Sequence, residues 1–175
     1  MKKAFSLLIV ATLIVSCTTE KPHEVSSHTT PESAVAVIHS INDSNVSGTV
    51  NFENTAEGVQ VTASISGLTG SMHGFHIHQY GDCTAEDGTS AGGHFNPGGN
   101  DHAGPDAMNR HMGDMGNISA DENGNATLEY VDSTIDMYQI IGRGIIVHGG
   151  VDDLESQPSG AAGPRIGCGV IGIQN

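Results

Sequence analysis

At 175 residues the chain fits one domain with short extras, and 24 glycines, no Trp and no long Ala/Glu/Lys/Leu stretch after the first 16 residues disfavour a helical bundle and favour an all-β domain with many turns. The formal net charge is −14, and −16 once Lys2 and Lys3 are removed, which argues against nucleic acid as a partner.

Met1-Lys2-Lys3 is a short basic segment, and the apolar run after it, Ala4 to Val15, is too short to span a bilayer comfortably. A basic start, an apolar stretch and small residues before a cut site mark residues 1–16 as a secretory signal. Ile14-Val15-Ser16-Cys17 resembles a bacterial lipobox, which implies cleavage before Cys17 and membrane attachment through lipid on that residue. The alternative is an ordinary signal with Cys17 as a bystander. Residues 17–33 then form the lipidated Cys and a polar, flexible tether, with His23 and His28 as solvated linker histidines.

From residue 34 to 175 the chain reads as the folded domain. Ala34–Ser40, Val46–Glu53, Val59–Ser66, Met72–Tyr80, Asn125–Val131, Arg143–His148 and Gly169–Ile173 are strand candidates by alternation. Asn42-Asp43, Glu57-Gly58 and Asn123-Gly124 mark turns. Seven or eight short strands at this spacing predict a β-sandwich or small barrel with Greek-key connections. Two stretches lack the pattern, Gly81 to Gly113 and Gly149 to Pro164, and long loops of this kind in a compact domain usually bind something.

Of three cysteines, Cys83 and Cys168 remain as a pair if Cys17 carries lipid, and an exported domain would join them in a disulfide. Seven of the ten histidines lie between His73 and His148. His76 and His78 stand two apart on a strand, so both imidazoles point to one face. His94, His102 and His111 follow on the first long loop, Asp114 lies three beyond, and His148 ends an apolar strand. A His/His/His/Asp set suits tetrahedral zinc, and an imidazole-rich set with an open position suits copper. His73, three from His76, faces away and is structural; His39 sits on a strand face without metal. Met108, Met112 and Met115 are packing residues rather than copper-scavenging thioethers.

GFHIHQYGD (74–82), SAGGHFNP (90–97), RHMGDMGN (110–117), GRGIIVHGGVDDL (142–154) and RIGCGVIGI (165–173) together resemble the copper/zinc superoxide dismutase family, over roughly residues 34–175 and in family order. The resemblance implies an eight-stranded Greek-key β-barrel with two long functional loops, and dismutation of superoxide to oxygen and hydrogen peroxide. Copper would be held by His76, His78, His94 and His148, and zinc by His94, His102, His111 and Asp114. His94 would then bridge both metals and carry the proton. Asp152 matches the carboxylate that links His76 to His102, Arg165 the guanidinium that draws the anion to the copper, and Cys83 and Cys168 the family disulfide. Gly88 stands six before His94, where eukaryotic members carry the Cys; the Asp82-Cys83 arrangement resembles bacterial members.

A lipid-anchored enzyme of the bacterial cell envelope follows, meeting superoxide from outside the cytoplasm. Whether it forms a homodimer stays open. The alternative is a non-enzymatic copper/zinc-binding or metal-delivery domain on the same scaffold. The family is itself the type example of electrostatic steering of a small anion. Here the domain's cations are only Arg110, Arg143 and Arg165, so steering is expected to be weak.

Overall fold

The computed structural model describes residues 30–175; the signal segment, Cys17, His23 and His28 lie outside the described residues. Eight strands form the molecule: β1 Ser33–Ser40, β2 Ser47–Asn54, β3 Val59–Ser66, β4 Met72–His78, β5 Asp114–Ser119, β6 Ala126–Asp132, β7 Gly144–His148 and β8 Arg165–Ile173. Their spatial order is β5-β4-β7-β8-β1-β2-β3-β6, and every pairing is antiparallel. A single bridge, Ala120 to Ala126, links the β5 and β6 ends, so the barrel is nearly closed. Around the near-closed barrel the β3–β4 connection passes over β6 and β5, and the β6–β7 connection passes over β5 and β4, which makes the Greek key.

Alternation builds the core. In β3, Val59, Val61, Ala63 and Ile65 point inward, opposite Val50 and Phe52 of β2 and Ala34, Ala36 and Ile38 of β1. Phe75, Ile77, Ile118, Ile145, Val147 and Ile171 complete the interior from the other half of the barrel. A second, smaller apolar cluster lies outside it, where Ala91, Ile146 and Cys168 meet Ile41 and Cys83 under the first long loop.

The eight-stranded Greek-key barrel of the sequence reading is therefore found, with three corrections to its elements. Strand β5 falls at the edge of what read as loop: Gly113 precedes it and Gly116 within it takes φ 74°, and four of its six residues are buried, so no alternation is visible. Strand β8 begins at Arg165 rather than Gly169. A four-residue helix, α1 (Met137–Ile140), also went unread; Asp136 caps it by accepting from the Tyr138 N–H at 3.0 Å.

Cys83 and Cys168 form a disulfide across a sequence separation of 85. Gly88, six before His94, takes φ 70° and lies against the side chains of Ile41 and Arg165. In the chain-entropy model a loop of this length contributes roughly 4 kcal/mol or more through the unfolded state. Replacing both cysteines by serine should lower the unfolding free energy by about that amount; urea denaturation checks it, and a loss under about 1 kcal/mol would contradict the account.

Candidate metal centre

The site lies on the outer face of the barrel, under the two long loops. In β4, Phe75 and Ile77 enter the core while His76 and His78 turn outward, with a bulge between Gly74 and His76. In β7, Val147 points in and His148 out, and the ladder to β8 shifts between them. His94 is bridged to His78 from the first loop, and Asp114 opens β5. Close backbone approach is obligatory at Gly113, where a Cβ would collide with the Ile77 carbonyl oxygen.

Two sets of ligand-type atoms result: His76, His78, His94 and His148, and His94, His102, His111 and Asp114. Within each set the atoms lie within 4.8 Å of one another, and all these residues are buried. His94 belongs to both. Its ring centroid is 4.0 Å from that of His76 and 5.3 Å from that of His102.

The outer partners fix the tautomers. His78 Nδ1 faces the Gly92 carbonyl at 2.9 Å and His148 Nδ1 the Gly163 carbonyl at 3.2 Å. His76 Nε2 faces Asp152 Oδ2 at 2.7 Å, and His102 Nε2 faces Asp152 Oδ1 at 2.9 Å. Carbonyl and carboxylate oxygens only accept, so each ring donates N–H on that side and turns a bare lone pair inward. Inside, Nε2 of His78 and Nε2 of His148 face each other at 3.4 Å. Buried His76 Nδ1 and His94 Nε2 have no hydrogen-bond partner. Bare nitrogens converging without donors are the donor set of a metal cation, and the residues present fit copper and zinc.

On the second side, Nδ1 of His94, His102 and His111 lie 2.7, 3.0 and 3.1 Å from the single oxygen Asp114 Oδ1. Burial raises the Asp114 pKa, but bonds from His94, Ala103 N–H and His102 outweigh it and leave it at about 2. Asp152 is held lower still, below its ordinary value, as bonds from His76, Leu154 N–H and His102 overcome burial. Desolvation depresses the histidines of the first set: His76 to about 4, His148 to about 3, and His78 well below its usual value. For His102, burial is outweighed by its two carboxylate partners, and its pKa is raised.

Arg165 approaches from β8. Its Nη1 donates to the Gly88 carbonyl and its Nη2 to that of Gly92 at 2.6 Å. The Gly92 oxygen also receives His78 Nδ1, so one carbonyl separates the guanidinium from the four-histidine set. The other arginines have structural work. Arg110 is buried and donates to both Asp132 oxygens, to Pro105 O and to His111 O, pinning the loop that carries His111. Arg143 stacks 4.1 Å above the Phe95 ring, next to His94, and donates to the Gln79 carbonyl. Sequence reading counted both only as cations; adjacency to a ligand was the one available hint. Asn117, also unread, pairs reciprocally with the Asp152 backbone, N–H to Oδ1 at 2.8 Å and Nδ2 to O at 2.9 Å.

His73 is buried and holds the His148 carbonyl at 2.8 Å, and His39 is exposed on β1, so neither joins the site. Met115 is core and Met112 packs on it, but Met108 is 93% exposed and packs nothing, which corrects the reading of that residue.

A near-closed Greek-key barrel with two histidine-rich sites sharing one imidazole defines a binuclear metalloprotein. The family model of copper/zinc superoxide dismutase (SODC) matches residues 46–171. A superoxide dismutase [Cu-Zn] of Paramecium bursaria Chlorella virus 1 is 45% identical over 177 residues, covering 95% of this chain and 91% of that protein. An extracellular superoxide dismutase [Cu-Zn] of Brugia pahangi is 41% identical over 152 residues, covering 80% and 75%. The crystal structure of the clock protein EA4 superposes with a TM-score of 0.74 at 38% identity, covering 83% of this chain and 97% of that one. The chain belongs to the copper/zinc superoxide dismutase family. Its reaction is the dismutation of superoxide, and copper and zinc are its cofactors.

The depressed histidines set a pH dependence in the metal-free protein. A histidine with a lower pKa folded than unfolded takes up its proton on unfolding, so its contribution is complete above about 6.5 and is lost as pH falls toward the folded value. His76 and His148 therefore destabilise the fold between pH 6.5 and about 4, at up to about 1.4 kcal/mol per group per pH unit. His102 acts in the opposite sense but is outnumbered. Metal-free protein should unfold at lower denaturant at pH 5 than at pH 7; equal midpoints would contradict this.

Proposed function

We propose that this chain performs its dismutation with His76, His78, His94 and His148 holding copper and with His94, His102, His111 and Asp114 holding zinc. One observation carries the division: His94 alone belongs to both convergent sets, with Nδ1 on the Asp114 side and a buried, partnerless Nε2 toward the other three histidines. Copper supplies the one-electron couple, and zinc, which has no redox chemistry, supplies a fixed positive charge. Arg165 binds and orients the anion. His94 Nε2 is the atom placed to hold a proton and release it to the reduced substrate. Asp152 keeps the His76 and His102 rings in the tautomer that presents a lone pair inward. A non-enzymatic metal-delivery role on the same scaffold is disfavoured by the complete ligand set together with Arg165.

The same reading divides the chain into a signal at 1–16, a lipidated Cys17 with tether to residue 33, and the enzyme domain at 34–175, lipid-anchored in the bacterial cell envelope and either periplasmic or outward-facing. The disulfide supports a non-cytoplasmic location. A homodimer would bury the β1–β8 face, which exposes Val37, Val170 and Ile173.

His94→Ala should lower superoxide consumption by about a hundredfold or more, the range expected for losing a proton-transfer group. Full activity with both metals bound would refute the bridging role. Among the described residues Arg165 is the one cation not committed to a carboxylate or a ring, so activity should change little as ionic strength rises to about 0.15 M. A steep fall would contradict that.

A further inference from the structure

We propose that Gln157 is a positioning residue for the zinc-side ligands, clamping the backbone of His102 from the second long loop; this rests on the zinc assignment above. Its Oε1 accepts from the His102 N–H at 2.7 Å, and its Nε2 donates to the His102 carbonyl at 2.8 Å. The same Nε2 donates to the Glu155 carbonyl at 3.1 Å. Both amide hydrogens and the amide oxygen are thus used, which settles the orientation of the carboxamide. The carboxamide presents its donor and its acceptor side by side, which matches the N–H and C=O of one residue.

An exposed glutamine on a loop ordinarily does little, since each of its bonds competes with water. The difference lies in what the two bonds hold. Asp152, five residues earlier on the same loop, grips the His102 ring at Nε2. His102 is therefore fixed at ring and backbone by one short segment, with Nδ1 turned toward the metal position. Asn117 repeats the device one step back, pairing its carboxamide with the Asp152 backbone. The result is a chain from β5 through Asn117, Asp152 and His102 to Gln157. Gly160 completes it, because a Cβ there would collide with Asp152 Oδ1 where that oxygen meets His102 Nε2. His102 can leave a metal by breaking its ring bond to Asp152 or by shifting its peptide, and Gln157 opposes the second without touching the metal.

The test uses the copper- and zinc-loaded protein and follows zinc release to a colorimetric chelator, with cobalt placed in the zinc position as a visible-absorption reporter. Gln157→Ala should release zinc on the order of tenfold faster, from losing two backbone bonds, and should shift the cobalt bands. The metal-free protein should keep its unfolding midpoint. Gln157→Glu keeps the acceptor but sets a carboxylate against the His102 and Glu155 carbonyls, and should release at least as fast as the alanine variant. Zinc release within twofold of the parent in Gln157→Ala, with unchanged cobalt bands, would overturn the proposal. His111→Ala separates the two inferences. If it releases zinc at the parent rate, the zinc assignment itself fails. If it labilises zinc while Gln157→Ala does not, only the clamp fails.

Discussion

Asp152 receives ring bonds from His76 and His102 at 2.7 and 2.9 Å, and through them one carboxylate sets the direction of a lone pair in each metal set. A neutral imidazole has one proton to place. Once that proton is committed outward, to Asp152 or to the Gly92 and Gly163 carbonyls, the inner nitrogen must be an acceptor. Burial then makes protonation of that inner nitrogen costly, which is why His76 and His148 are depressed so far. The site is preorganised by what surrounds it on the side away from the metal.

The barrel makes this tolerable. Its interior is filled by apolar side chains from all eight strands, and the polar cluster is placed outside, between β4, β7 and the loops. Bulges at Gly74/His76 and Val147/His148 turn ligands outward while Phe75 and Val147 stay in the core. The loops need no regular structure because each is tied at several points: by the disulfide, by Arg110 to Asp132, by Arg165 to two carbonyls and by Asn117 to Asp152.

The residues of the two convergent donor sets could be picked out as candidates because imidazole spacing is preserved in the chain: His76 and His78 share a face by strand parity alone. Seven of the eight strands were legible from alternation. Strand β5 was not, since burial on both sides and Gly116 erase the period of two. The supporting residues were hidden for another reason. Asp132 lies 22 residues from Arg110, Asp152 35 from Asn117 and Gln157 55 from His102, and each pair meets only through long-range folding. Nothing local in Asn117 or Gln157 marks an amide that will pair with another residue's backbone.

Strand β8 ties two parts of the site together. Among the described residues it is the last strand, and it carries both Arg165 and Cys168. Both convergent donor sets, from His76 to His148, precede it in the chain. Without that strand the chain would have neither the covalent tie to Cys83 nor the guanidinium that holds the Gly88 and Gly92 carbonyls. The cross-link to Cys83 and the guanidinium beside the four-histidine set thus depend on one and the same strand.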